Sequence, residues 1–137
     1  MIELRMLVLV LVATSGLLTA PALAHHSYAM FDMEKSLTLE GTVTEIRWTN
    51  PHIMIRVEVV DAGTGEKKEW SIEGNSPNML RRRGWTRNAL NTGDTVVAIV
   101  NPVKAGDQPY FASLSALTVN GRRVFTRQAG DVGEEGK

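Results

Sequence analysis

The sequence has no cysteine and no net charge, and each of these absences excludes some classes of protein. Without cysteine among its 137 residues, the chain cannot form disulfides, thiolate metal sites or cysteine nucleophiles, so packing must stabilise the fold. Fifteen basic residues balance fifteen acidic ones, which removes the electrostatic case for binding a polyanion. We therefore expect no nucleic-acid partner, and the length suits a single domain.

Signatures of catalysis are missing as well. No serine lies in a Gly-x-Ser-x-Gly context, and Gly63-Thr64-Gly65 is typical of a hairpin tip rather than of a phosphate-binding turn. Nothing in the sequence fixes the separation of a carboxylate pair. We therefore expect a non-catalytic protein and name no catalytic residue.

The first 24 residues are typical of a signal peptide. An uncharged apolar run at residues 6–18 is followed by Ala22-Leu23-Ala24, the small-x-small pattern that a signal peptidase recognises. The run is shorter than the roughly 20 residues of a membrane span. The sequence thus predicts cleavage after Ala24, export to the periplasm and no stable membrane insertion afterwards. An uncleaved anchor is the alternative, because Arg5 is the only basic side chain before the run.

Five segments alternate apolar and polar residues as half-buried strands do. The first changes phase near Gly41, which predicts a bend that lets one strand serve both halves of a small barrel. A short sixth strand, at residues 122–125, would follow the Asn120-Gly121 turn, and residues 128–137 are predicted to be a disordered tail. The five predicted strands are residues 36–48, 52–60, 67–73, 95–100 and 111–119.

One helix is predicted between the third and fourth strands. Ser76 suits its N-cap, Pro77 its first position and Gly84 its C-terminal end. Three strands, a helix and two strands follow the order of an OB-type barrel, a mostly β fold. We therefore predict a five-stranded OB-like barrel over residues 36–127, preceded by an N-terminal arm at residues 25–35. An open antiparallel sheet with one helix has the same order and is the alternative.

The predicted mature terminus begins with two histidines, His25 and His26. A terminal histidine can bind a metal through its α-amine and its ring together, and a second histidine completes a nitrogen set that suits copper(II). His52 is the only other histidine, and Met30 and Met33 offer thioethers for copper(I). These five residues form a candidate copper site. The alternative is an exposed chain start with methionines that only pack.

A second candidate site lies at the loop between the first two strands, Trp-Thr-Asn-Pro-His over residues 48–52. In OB-type barrels this loop borders the usual ligand face. Trp48, Asn50, His52 and Arg56 are therefore candidate ligand-binding residues. The alternative is that Trp48 packs in the core and the Asn-Pro pair only shapes the turn.

The order of these motifs resembles a family of small exported bacterial proteins of unknown function. That family has His-His-Ser after the signal peptide and a Trp-x-Asn-Pro-His motif. The matching residues here are 25–32, 48–52, Gly84-Trp85 and Gly93-Asp94, which span nearly the whole predicted mature chain. The resemblance implies export and one domain, and it implies no activity.

Two functions compete on this basis. The first is an exported, non-catalytic binding or accessory protein whose partner is a small ligand or a periplasmic protein. The alternative is a copper-binding protein that uses His25 together with His26 and His52. Oxidative catalysis at such a copper centre is the least favoured hypothesis, because the sequence shows no substrate surface.

Overall fold

The computed structural model describes residues 28–104, 106 and 108–128. Within these residues the chain forms six strands, one short α-helix and one turn of 3-10 helix, Tyr28–Met30. None of these helices is long and apolar enough to cross a membrane. The strands are β1 (Leu37–Arg47), β2 (Met54–Val60), β3 (Lys67–Glu73), β4 (Thr95–Pro102), β5 (Phe111–Val119) and β6 (Arg122–Thr126), and the helix is α1 (Pro77–Arg82).

Five of the strands close into a barrel. Their order in the sheet is β3-β2-β1-β4-β5-β6, and β3 also pairs with β5. This closing pair is parallel, and it joins residues 71–73 to residues 111–113. β6 pairs with β5 outside the closed ring. The predicted five-stranded OB-like barrel, with its helix between β3 and β4, is confirmed, and the open sheet is wrong.

A bend in β1 makes the closure possible. Residues 37–42 of this strand pair with β4, whereas residues 41–47 pair with β2, and the register shifts between Val43 and Glu45. A Cβ atom at Gly41 would collide with the backbone carbonyl of Glu58 on β2. Only glycine therefore lets the two strands approach this closely beside the bend, where the sequence predicts a change of phase.

The α1 helix begins and ends where its sequence predicts. The Oγ atom of Ser76 accepts a hydrogen bond from the backbone N–H of Met79 at 3.3 Å, which caps the first turn. Gly84 follows the last turn with a φ of 81°, a backbone conformation that favours glycine. The helix places Leu80, which is fully buried, against the core.

The described part of the N-terminal arm, residues 28–35, packs on the outside of the barrel. Phe31 is only 1% exposed, and its ring lies 5.5 Å from the ring of Phe111. The backbone N–H of Asp32 donates to the carbonyl of Pro102 at 2.8 Å, and the N–H of Lys104 donates to the carbonyl of Met30 at 2.9 Å. The arm thus extends the sheet beyond the end of β4 and covers the outer face there.

Candidate ligand-binding groove

A groove of about 430 Å³ lies on the outer face of the barrel. Outward-facing side chains of β2 and β3 form its floor, and the end of β1 lies at one side. Gln108, Pro109 and Tyr110, at the end of the loop between β4 and β5, lie along the other side. The lining residues are Arg47, Met54, Arg56, Glu69, Ser71, Gln108, Pro109, Tyr110 and Phe111.

Strand alternation explains why these side chains face outward. Ile55 and Val57 of β2 are fully buried in the barrel, so Arg56 between them projects to the outer face. Arg56 pairs with Ser71 across β2 and β3, and Ser71 pairs with Phe111 across β3 and β5. These three side chains therefore form a row that crosses three strands, although they lie far apart in the sequence.

Charges on the floor of the groove are paired with one another. Nε of Arg47 lies 2.7 Å from one carboxylate oxygen of Glu45, and Nε of Arg56 lies 3.2 Å from the other. Nη1 of Arg56 also lies 3.1 Å from the carboxylate of Glu69. The hydrogen bond from Arg47 is the main reason that the pKa of Glu45 lies below its usual value. Glu45 is not a lining residue, but its contacts with both arginines, together with Glu69, balance their charge.

Tyr110 closes the inner side of the groove next to β3. Its ring meets the ring of Trp70 edge-on, with 5.6 Å between the centroids, and Nζ of Lys68 lies 5.4 Å from its centroid. A hydrogen bond with Tyr110 is the main cause of the raised pKa of Lys68. Tyr110 is still 38% exposed, so part of its ring stays available to a ligand.

The groove also follows an unpaired stretch of the β3 backbone. The N–H of Ser71 donates to the carbonyl of Tyr110 at 2.9 Å, so the backbone groups of Ser71 point away from β2. Because this direction alternates along a strand, the N–H and carbonyl of Glu69 also point away from β2. β5 pairs only with residues 71–73. Across the described segments, no backbone hydrogen bond reaches Glu69 from that side.

The four predicted ligand residues lie in different surroundings. Arg56 lines the groove, whereas Asn50, which is exposed, and His52, which is partly buried, do not. Trp48 is 9% exposed and its ring stacks on Trp85 in the core at 6.4 Å, which agrees with the alternative interpretation of this residue. Ligand contacts by Trp48, Asn50 and His52 therefore stay predictions.

Sequence reasoning missed the half of the groove that comes from β3 and the β4–β5 loop. Glu69 and Ser71 carry a usable signal, because they alternate with the buried Ile72 and must face outward. The sequence signal that would assign Tyr110 and Phe111 to the groove is weaker. The β4–β5 loop is a usual ligand loop of OB barrels, but only the β3–β5 pairing places it beside β2 and β3.

The candidate copper site is described only in part. His25 and His26 lie outside the described residues, whereas Met30 and Met33 on the arm are 37% and 38% exposed. Nδ1 of His52 lies 3.1 Å from the carbonyl of Gly74, which can only accept, so Nδ1 is the donor in this hydrogen bond. In the portion of the chain that the structure covers, no three His, Asp or Glu side chains are grouped to hold a metal ion. Copper binding therefore stays a prediction.

Arg127 holds the arm against β4 and β5. Its guanidinium donates to the side chains of Asn101 at 2.9 Å and Ser113 at 2.6 Å. The same guanidinium lies 4.8 Å from the centroid of the Tyr28 ring, an arrangement typical of a cation–π contact. Asn101 in turn donates to the carbonyl of Lys35 at 2.7 Å. These contacts tie Tyr28 and Lys35 of the arm to the outer face of the barrel.

Comparison with known sequences and structures places the chain in a family. The sequence profile of a family of unknown function, DUF6152, matches residues 13–111. The protein belongs to this family. Members of the family have no assigned activity, and among curated proteins no sequence relative is found.

Three crystal structures of Rim1, a mitochondrial single-stranded DNA binding protein of S. cerevisiae, are similar to the chain. One crystal form has a TM-score of 0.47 at 8% identity, over 63% of this chain and 93% of Rim1. A second has a TM-score of 0.46 at 9% identity, over 63% and 92%, and a selenomethionine-labelled crystal has 0.45 at 10%, over 63% and 93%. The fold assignment here rests on the strand order and on the β3–β5 pairing.

Proposed function

We propose that this protein is an exported, non-catalytic binding protein whose ligand occupies the groove on the outer face of β2 and β3, beside the β4–β5 loop. One observation carries the proposal. The groove lies on the outer face of β2 and β3 beside the β4–β5 loop, where OB barrels bind their ligands. Because a shared position is only an analogy between folds, the chemistry of the groove must support the proposal as well.

The groove suits a ligand that is polar and carries no large charge of one sign. Met54 and Phe111 supply apolar contact, while Ser71 and Gln108 supply neutral hydrogen-bonding groups. Binding of a nucleic-acid backbone depends on arginine and lysine side chains that can neutralise phosphates. Here the arginines already share the carboxylates of Glu45 and Glu69, so a polyanion would have to compete with these acids.

A substitution that fills the groove with a large side chain tests the proposal. Replacing Ser71 by phenylalanine places a ring in the middle of the lining, and replacing Thr38, an exposed residue of β1, by phenylalanine is the matched control. Thermal-shift measurements would compare both variants with the natural protein against peptides, oligosaccharides and single-stranded DNA. We expect a ligand that stabilises the natural protein and the control but not Ser71→Phe. A ligand that stabilises all three equally contradicts a role for the groove.

Export is supported by the composition of residues 1–24 and has its own test. We expect mass spectrometry of the protein from its native cells to find a chain that begins at His25, in the periplasmic fraction. A cytosolic protein that retains Met1 would contradict this half of the proposal without affecting the groove.

A second candidate function, copper binding at the mature terminus, is favoured by the position of the arm. Tyr28 packs on Arg127 over the outer face of β5, and that strand adjoins Glu73. Glu73 lies 3.6 Å from Nδ1 of His52. His25 precedes Tyr28 by three residues, which span at most about 10 Å. A site shared by His25 and His52 requires that this reach extend from Tyr28 to the His52 ring.

Copper(II) titration distinguishes this candidate from the first. Calorimetry would compare a chain that begins at His25 with one that carries an additional alanine before it. We expect tight one-to-one binding only by the authentic terminus, because the added residue removes the α-amine from the histidine chelate. Replacing His52 by alanine should then weaken the binding. Equally weak binding by both chains would exclude the copper site.

A further inference from the structure

We propose that the groove binds an extended polypeptide segment of a partner protein, which pairs with the free edge of β3 as an added strand. This inference rests on the proposed function, because it uses the same groove. It names the class of ligand and the backbone groups that recognise it.

The free edge of β3 has the hydrogen-bonding pattern that an added strand requires. Glu69 turns its N–H and carbonyl away from β2, and Lys67, two residues before it, does the same by alternation. Over the residues with described positions, neither receives a backbone partner on that side. Extended peptides bind to such edges through their main chain, with side-chain contacts providing selectivity.

β5 occupies only part of the β3 edge, and the stretch before Ser71 stays open. β5 pairs with β3 as far as Ser71, and Gln108, Pro109 and Tyr110 of the preceding loop line the groove. Among the described residues, no strand pairs with β3 beside Glu69 on that side. Trp70 and Tyr110 close the inner side of the groove by their edge-on ring contact. An incoming strand could therefore pair at the surface without entering the core. Open strand edges are able to pair with another chain, which is the mode of binding proposed here.

The side chains next to the edge favour a polypeptide with charges of both signs. On the outer face, Glu69 exposes 48% and Lys67 exposes 66% of its side chain. Residues directly opposite each other in paired strands interact, so a strand with a cation opposite Glu69 and an anion opposite Lys67 would be complementary. A nucleic-acid strand has neither the alternating backbone donors nor the cations. An oligosaccharide could fill the groove, but it would not require the N–H of Glu69.

A proline at position 69 separates strand addition from other kinds of binding. The Glu69→Pro change removes the N–H that faces the groove and leaves the hydrogen bonds to β2, which Lys68 and Trp70 make. The matched control, Glu69→Gln, keeps the N–H and removes only the charge. Circular dichroism and thermal unfolding of both variants would establish that they are folded.

The probe is a random decapeptide library displayed on phage, selected on the natural protein. The best peptide is then synthesised and its Kd is measured for each variant. Both variants lose the charge of Glu69, so their difference isolates the backbone N–H. Loss of this hydrogen bond should make Glu69→Pro bind the peptide about tenfold more weakly than Glu69→Gln does. The inference would be overturned if no peptide could be selected, or if Glu69→Pro and Glu69→Gln bound the selected peptide equally well.

Two further comparisons keep the test decisive. If Glu69→Pro does not fold, the selected peptide is methylated on alternate backbone nitrogens instead. Methylation in only one of the two alternating sets should abolish binding, and equal effects of both sets would overturn strand addition. Binding of an oligosaccharide that Ser71→Phe abolishes and Glu69→Pro does not change would support the groove and overturn the polypeptide. Peptide binding that is unchanged in Ser71→Phe would overturn both the groove as the ligand site and the addition of a strand beside it.

Discussion

The outer surface of the barrel is completed in two different ways. Over β4 and β5, the N-terminal arm covers the sheet, with Phe31 against Phe111 and Arg127 hydrogen-bonded to Asn101. Over β2 and β3, within the described part of the chain, charged side chains pair with one another and remain partly exposed, as Arg56 does with Glu69. We call these regions the covered face and the open face.

The difference between the two faces predicts that they contribute unequally to the stability of the fold. A buried aromatic ring and a partly buried arginine that makes several hydrogen bonds are expensive to remove, because the groups they leave behind lose their partners. Exposed ion pairs contribute little, since water and salt can replace each partner. The covered face therefore stabilises the fold, whereas the ion pairs of the open face contribute little to stability and are available for the binding proposed above. Substitutions on the two faces should differ accordingly.

The largest difference is expected between Phe31 and Tyr110. Phe31 is 1% exposed, so Phe31→Ala should lower the free energy of unfolding by about 3–5 kcal/mol. Tyr110 is 38% exposed, and Tyr110→Ala should cost clearly less. Urea denaturation of both variants measures the two values. Equal losses would show that the arm does not contribute more to stability than the groove does.

An intermediate difference is expected between two arginines. Arg127→Ala removes hydrogen bonds to Asn101 and Ser113 and should lower the free energy of unfolding by about 2–3 kcal/mol. Arg56→Ala removes only ion pairs that are partly exposed to solvent and should cost about 0.5 kcal/mol. Arg127→Lys is the control, because it keeps the charge but cannot keep the forked contacts. If Arg127→Ala lowered the free energy of unfolding no more than Arg56→Ala does, the proposed difference between the two faces would be wrong.

The smallest effect concerns the titration of Glu45 on the open face. Its pKa lies below the ordinary 4.5, chiefly because of the hydrogen bond from Arg47, so Arg47→Gln should raise it toward that value. A folded-state pKa that is lowered adds stability above the unfolded pKa, and this stability is lost as the pH falls through the folded value. The contribution should therefore disappear only at acidic pH, below 4.5.

Carbon-detected NMR titration of the Glu45 carboxyl follows this pKa directly. High salt should have the same direction of effect as Arg47→Gln, because the pair is exposed and salt screens it. A Glu45 pKa that responds to neither change would mean that the ion pairs of the open face are not formed in solution.

Much of the fold could be predicted because its signals are local. Alternation in β2 depends only on successive side chains facing opposite sides, and Ile55 and Val57 are buried as that pattern predicts. Ser76 and Gly84 mark the ends of α1 through hydrogen bonding and backbone conformation at single residues. The bend near Gly41 is visible as a change of phase.

The candidate site could be predicted only in part because it depends on contacts between distant segments. Arg56 was found from its position near the first loop, but the row of Arg56, Ser71 and Phe111 exists only through two strand pairings. Trp48 illustrates the opposite case. Its aromatic character suits both a ligand surface and a core, and its stacking on Trp85 puts it in the core. Nothing in the local pattern separates these two environments.

The amino-acid sequence by itself determined the order of the strands, the limits of the helix and the balance of charge, since each arises from neighbouring residues or from composition. Which surfaces are covered was decided only by the tertiary structure. The parallel pairing of β3 with β5 closes the barrel, ends at Ser71 and leaves Glu69 without a backbone partner on its outer edge among the described residues. Strand pairing depends on how the whole chain satisfies its backbone hydrogen bonds together, and no single segment contains that information.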